Sequence, residues 1–136
     1  MAETKYGKYI LTEPSAGEKP KGYDIPVHVN WLLNLGIKCD FAFTHVDEPW
    51  TYPNPPHKHP VDEFLFWLGG DPTNMLDFGA EVELTLGEGE DQEVHTITHT
   101  SVIYIPAGLS HLPMKFVKVT KPLLCGHILM APGYIK

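Results

Sequence analysis

The chain turns too often to hold long helices. From Val27 onward, short β-like runs follow one another at 27–33, 39–46, 63–68, 81–86, 93–98, 102–105, 115–119 and 123–130, with turn residues in nearly every gap. The 13 prolines and 12 glycines among 136 residues supply much of this punctuation. Glu81-Val82-Glu83-Leu84-Thr85-Leu86 alternates polar with apolar, which predicts a half-buried strand with its glutamates toward water. The stretch from His95 to Thr100 reads the same way. Only residues 29–37 suit a short helix as well as a strand, because Trp31, Leu32, Leu33 and Leu35 satisfy either period. Eight or more short strands in a chain of one-domain length predict an all-β barrel or sandwich. Residues 1–26 read as an N-terminal arm and loop, with Pro14, Gly17, Pro20, Gly22 and Pro26 among lysines and glutamates, and residues 27–136 as the β-barrel domain.

Charge narrows the functional classes. The net charge is -7, and all 10 basic residues are lysine, so the sequence has no arginine. Nucleic-acid recognition needs a cationic footprint and arginine forks, and that class is excluded as a partner. An anionic group on a substrate must then bind a metal, a histidine such as His45 or His127, a backbone amide, or Lys115 should its strand turn it inward. A neutral or metal-chelating small molecule is the expected partner. The opening residues lack the apolar stretch of a signal peptide and no run is long enough to span a membrane, so a cytoplasmic location is expected. Cys39 and Cys125 each sit alone in apolar segments and read as reduced thiols.

Pro55-Pro56-His57-Lys58-His59-Pro60-Val61-Asp62-Glu63 is the most informative stretch. In extended backbone, His57 and His59 share a face and Lys58 points away. Glu63 heads the apolar run Phe64-Leu65-Phe66-Trp67-Leu68, where a charge needs a compensating partner, and a divalent cation would serve. His111 follows a proline-glycine turn at Pro106-Ala107-Gly108 and supplies a third imidazole. By parity with Glu63, Leu65 and Trp67 face the interior, and the aromatic set Phe41, Phe43, Phe64 and Phe66 reads as core. Gly87-Glu88-Gly89-Glu90-Asp91 reads as a hairpin turn rather than a phosphate cradle, because its acids repel phosphate.

These residues resemble the two motifs of the cupin superfamily, His-x-His-x3-Glu-x6-Gly and Pro-x-Gly-x2-His. His57, His59, Glu63 and Gly70 fill the first, and Pro106, Gly108 and His111 the second. The resemblance covers residues 40–130 and implies an all-β double-stranded β-helix, or jelly roll, in which the three histidines and the glutamate hold one metal. The positions where the family carries glycine ahead of each motif hold Thr51 and Thr100, and Lys115 stands where asparagine is frequent. None of the three is a ligand position. An extra loop at residues 71–77 lies between the motifs.

Three neutral nitrogens and one carboxylate suit one divalent transition metal per chain, Fe(II) as first choice, with Mn, Ni, Co or Zn as alternatives. Open coordination positions permit catalysis. The leading expectation is a metal-dependent enzyme acting on a small organic molecule by dioxygenase-type oxidation. A redox-neutral isomerase or lyase is the alternative among enzymes, and a non-catalytic metal-binding or ligand-sensing barrel the alternative outside them. His45 and His127, on apolar strands, are the candidate acid–base groups beside the metal. Exposed edge strands and the arm suggest a homodimer.

Overall fold

The computed structural model describes residues 4–10, 12, 27–29 and 39–131. Most of the expected loop at 12–26, and all of the ambiguous segment 29–37 except Val29, lie outside the described residues. Among the described residues nine strands are formed: β1 (Val27–Val29), β2 (Asp40–Val46), β3 (Trp50–Thr51), β4 (Glu63–Gly69), β5 (Ala80–Leu86), β6 (Glu93–Ile97), β7 (Ser101–Ile105), β8 (His111–Val119) and β9 (Leu123–Leu129). They build a five-stranded sheet in the order β1-β2-β9-β4-β7 and a four-stranded sheet in the order β3-β8-β5-β6. Every pairing is antiparallel. Among the described residues no helix is long and apolar enough to cross a membrane.

Both sheets bury one face against a shared core. Val46, Leu65, Trp67, Ile105 and Leu123 from the larger sheet meet Val82, Leu84, Met114 and Phe116 from the smaller. Trp67 and Phe116 are both almost fully buried and meet edge to face at 6.1 Å, and each such side chain contributes about 1.5–3 kcal/mol through burial. Leu65 and Trp67 face inward, as parity with Glu63 requires. The phenylalanines do not join them. Phe41, Phe43, Phe64 and Phe66 lie half-buried on the opposite face of the larger sheet, where Phe41 stacks on Phe66 at 6.2 Å. Gly126 on β9 makes room for this layer, because a Cβ there would sit 2.3 Å from the Phe66 ring and 2.6 Å from the Ala42 carbonyl oxygen.

The smaller sheet follows its alternation less cleanly. Glu81 and Glu83 are half-buried and pair in register with Lys118 and Lys115 on β8, so opposite charges face each other across the strands. That register holds Lys115 on the exposed outer face, which corrects any role for it inside the barrel. The strand before it also starts earlier than the composition suggests, at His111 rather than Lys115, with the pairing shifted between Leu84 and Leu86. The acidic glycine-rich stretch forms the β5–β6 connection, with Gly87 and Gly89 at positive φ.

Candidate metal centre

Motif one and motif two are joined through the backbone before any side chain is considered. The His57 N–H donates to the His111 carbonyl at 3.1 Å and the His111 N–H returns the bond at 2.9 Å, so the two residues form one antiparallel bridge. The turn Pro106–Leu109 is closed by the Leu109 N–H on the Pro106 carbonyl at 3.1 Å. It requires a left-handed residue at its third position, which Gly108 supplies with φ +87°. The Gly108 N–H then donates to the His59 carbonyl at 2.8 Å, and the Ala107 N–H donates to Asp62 Oδ1 at 2.8 Å. Proline and glycine in the second motif thus serve to lock one loop against the other.

This lacing brings three imidazoles together. The nitrogens that His57, His59 and His111 offer lie within 4.8 Å of one another. His59 and His111 are buried, and His57 is half-buried at the rim. Nδ1 of His57 donates to the Pro55 carbonyl at 2.8 Å, and Nδ1 of His111 to the Leu109 carbonyl at 3.2 Å. Each bond fixes a tautomer whose Nε2 carries the lone pair a cation needs. Glu63 completes the cluster from the head of β4. Its Oε1 lies 3.1 Å from His111 Nε2 and 3.7 Å from His59 Nε2, yet no well-aligned hydrogen bond from the described residues reaches this buried oxygen. A carboxylate buried without such a bond is costly. A cation bound among these donors would offset that cost, so the residues present fit a divalent transition metal. Lys58, between the two histidines, points outward and pairs with Glu88 at 2.9 Å.

His57, Glu63 and His111 also line a largely apolar cavity. Ala42, Trp50, Tyr52, Leu65, Leu112 and Met114 supply its apolar walls. Cys125 also lines it, and burial pushes the thiol up to about 12, outweighing the lowering effect of the nearby Trp67 indole, so it stays protonated. Cys39 and Cys125 are both free thiols. Burial, then Asp40, also raises Cys39.

The two histidines singled out beside the metal part company. His45 lies on the outer face of β2, exposed, with Asp47 at 4.0 Å, and its parity with Phe41 and Phe43 removes it from the site. His127 lies inside, lines the cavity, and places Nε2 2.8 Å from Oδ2 of Asp40. Asp40 is fully buried. Sequence reasoning missed it, although it heads a core strand just as Glu63 does and the same argument about a buried charge applied. Trp50 and Tyr52 were also missed, because β3 is only two residues long.

No protein-family model matches the sequence, and neither does any curated protein. Solved structures are similar in fold. A protein with a double-stranded β-helix domain from Klebsiella pneumoniae aligns at TM-score 0.55 and 13% identity, over 100% of this chain and 94% of that one. Oxalate oxidase in complex with glycolate aligns at 0.56 and 14%, over 90% of this chain and 60% of that one. The vicilin of hazelnut, Corylus avellana, aligns at 0.50 and 20%, over 69% of this chain and 23% of that one. The chain thus spans about a quarter of the vicilin and under two thirds of the oxidase. Two antiparallel sheets around one core, the His57–His111 bridge and these structural neighbours together give the chain the double-stranded β-helix fold of the cupins.

Proposed function

We propose that this chain is a metal-dependent enzyme that oxidises a small, neutral or metal-chelating organic molecule in a dioxygenase-type reaction. His57, His59, Glu63 and His111 would hold one divalent transition ion, Fe(II) as first choice. The observation that carries the reading is the buried Glu63 carboxylate, set among three imidazoles in the wall of an apolar cavity. When bound, such an ion supplies Lewis-acid polarisation of substrate oxygens and, as Fe(II), a means of engaging dioxygen.

The chain's own residues supply the remainder. Hydrogen bonds to Pro55 and Leu109 hold His57 and His111 in the tautomer that offers Nε2. Glu63 contributes the negative charge that leaves a divalent site with about one net positive charge. Trp50, Tyr52, Leu65 and Met114 exclude water from one side of the cavity and favour an apolar substrate body. Neither lysine nor arginine lines the cavity among the described residues, which supports a neutral or chelating substrate over a phosphorylated one. The oxalate oxidase of similar fold is named for oxalate, a small chelating molecule, in keeping with this scale of substrate.

Elemental analysis of protein purified from its own host, followed by oxygen uptake with small hydroxylated and chelating compounds, tests the proposal. One metal equivalent and substrate-dependent oxygen consumption are expected. Turnover without oxygen consumption would replace oxidation by isomerase or lyase chemistry. Ligand-induced thermal stabilisation without turnover would identify a sensing barrel.

A further inference from the structure

The inner face of the larger sheet carries a second ionisable pair besides the metal donors. On this face β2, β9 and β4 present rows of side chains. Asp40, Leu129 and Glu63 stand in one row, and Ala42, His127 and Leu65 in the next. Asp40 and Glu63 are therefore two strand spacings apart, about 9.5 Å, and His127 lies diagonal to both. Its ring turns toward Asp40, with Nε2 at 2.8 Å from Oδ2. The carboxylate is fully buried, whereas the His127 side chain keeps 19% of its surface exposed and lines the cavity.

Such a pair has a definite chemistry. A buried carboxylate accepting from Nε2–H holds the ring in one orientation and sets the tautomer in which Nδ1 is the proton-accepting nitrogen. It also stabilises the imidazolium that forms when Nδ1 takes a proton. The other titratable groups lining the cavity are Cys125, which stays a thiol, Tyr52, and the metal donors His57, Glu63 and His111. Among the described residues only His127 combines a place in the cavity wall with a buried carboxylate that is not itself a metal donor.

We propose that His127 is the catalytic base of this site and that Asp40 is its positioning residue, together recognising a substrate that carries an acidic hydroxyl of the phenol or enol class. The hydroxyl O–H bond breaks and an N–H bond forms on Nδ1 of His127. The ligand is left as an oxyanion, and the new imidazolium is paired with the Asp40 carboxylate. The apolar walls, with Trp50 and Tyr52, suit the ring or unsaturated body of such a molecule. This assignment rests on the cavity being the substrate site of the proposed enzyme, but not on the metal.

4-Nitrophenol is the probe, because its yellow phenolate and colourless phenol are read separately by absorbance. It is titrated into the protein as purified and into chelator-treated protein, at a pH where the free probe is mostly phenol. The wild type is expected to bind it as phenolate in both preparations. His127→Gln, which can hydrogen-bond but cannot become a cation, should bind it as phenol with affinity at least about tenfold weaker. Asp40→Asn should bind it with a phenolate fraction between the two, and its apparent ionisation should move toward that of the free probe. Should Asp40→Asn fail to fold, the His127→Gln comparison still decides. A wild type that binds only phenol, or binds none, would overturn the proposal. So would a phenolate signal retained in His127→Gln and lost on metal removal, an outcome that leaves the metal reading standing. A His127-dependent phenolate in protein that holds no metal under any condition would sink the metal reading and leave this one intact.

Discussion

His57 and His111 are hydrogen-bonded to each other twice through their backbones, at 3.1 and 2.9 Å. Residues 54 positions apart in sequence are thereby held as nearest cross-strand neighbours, with ring centroids 4.6 Å apart. Two of the three clustered imidazoles are positioned by a backbone bridge that ties the loop carrying His57 to the head of β8. That rigidity is what a preorganised metal site requires.

Gly108 and Gly126 separate the two devices that shape this site. At Gly108 a Cβ meets nothing within 4 Å, so Gly108→Ala is disfavoured only by φ +87°. We expect a loss of about 1 kcal/mol together with weakened metal binding, because the turn that aligns His59 and His111 relaxes. At Gly126 the backbone is extended and the space is filled. Gly126→Ala should therefore cost more, about 1–3 kcal/mol, with metal affinity per folded molecule little changed. Thermal melts and metal titrations of the two variants check this, and the reverse ranking would contradict it.

His59→Ala and His111→Ala should abolish stoichiometric metal binding while the chain stays folded, since neither imidazole belongs to the apolar cluster that packs the core. Elemental analysis alongside circular dichroism provides the measurement. His45→Ala serves as control, and its metal content should match the wild type because the ring is exposed on the far face of β2. Unchanged metal in His59→Ala would remove the assignment.

The metal cluster was legible in the sequence because its spacing is local. His57, His59 and Glu63 lie within one stretch, and the second motif carries its own turn signal at Pro106 and Gly108. The partner of His127 was not legible in this way, since Asp40 lies 87 positions away and no short spacing links them. Hydrophobicity misled at β2. There the small or polar residues Asp40, Ala42 and Thr44 face inward and the phenylalanines outward, so that Ala42 and Thr44 line the cavity and leave its space open. The same inversion put His45 outside. At β8, Pro113 disguised the start of a strand.

Acid should weaken the metal's contribution to stability. Each ligand imidazole must be neutral to bind, so protons compete with the ion as pH falls. The metal-loaded minus metal-free difference in melting temperature is expected to be full at mildly alkaline pH and to shrink on acidification. A difference that stays flat from neutral to mildly acidic pH would contradict a histidine-rich site.

Alkali should act on a different residue. Burial raises the Cys125 thiol from its ordinary value of 9.0 to about 12, whereas the unfolded chain ionises it in the usual thiol range. A group whose folded pKa is raised contributes stability that is fully present below the unfolded value and is lost as pH rises toward the folded one. Stability should therefore decline between about pH 9 and about pH 12, and Cys125→Ser, which has no group ionising in that range, should flatten the decline while lowering stability at neutral pH. The same burial predicts the order of alkylation. Cys39, only half-buried, should react with iodoacetamide well before Cys125 in the folded protein, with the two rates converging in denaturant. Mass spectrometry of timed samples reads both rates, and equal labelling of the two cysteines in the folded state would show that the Cys125 thiol is not sealed in the barrel wall.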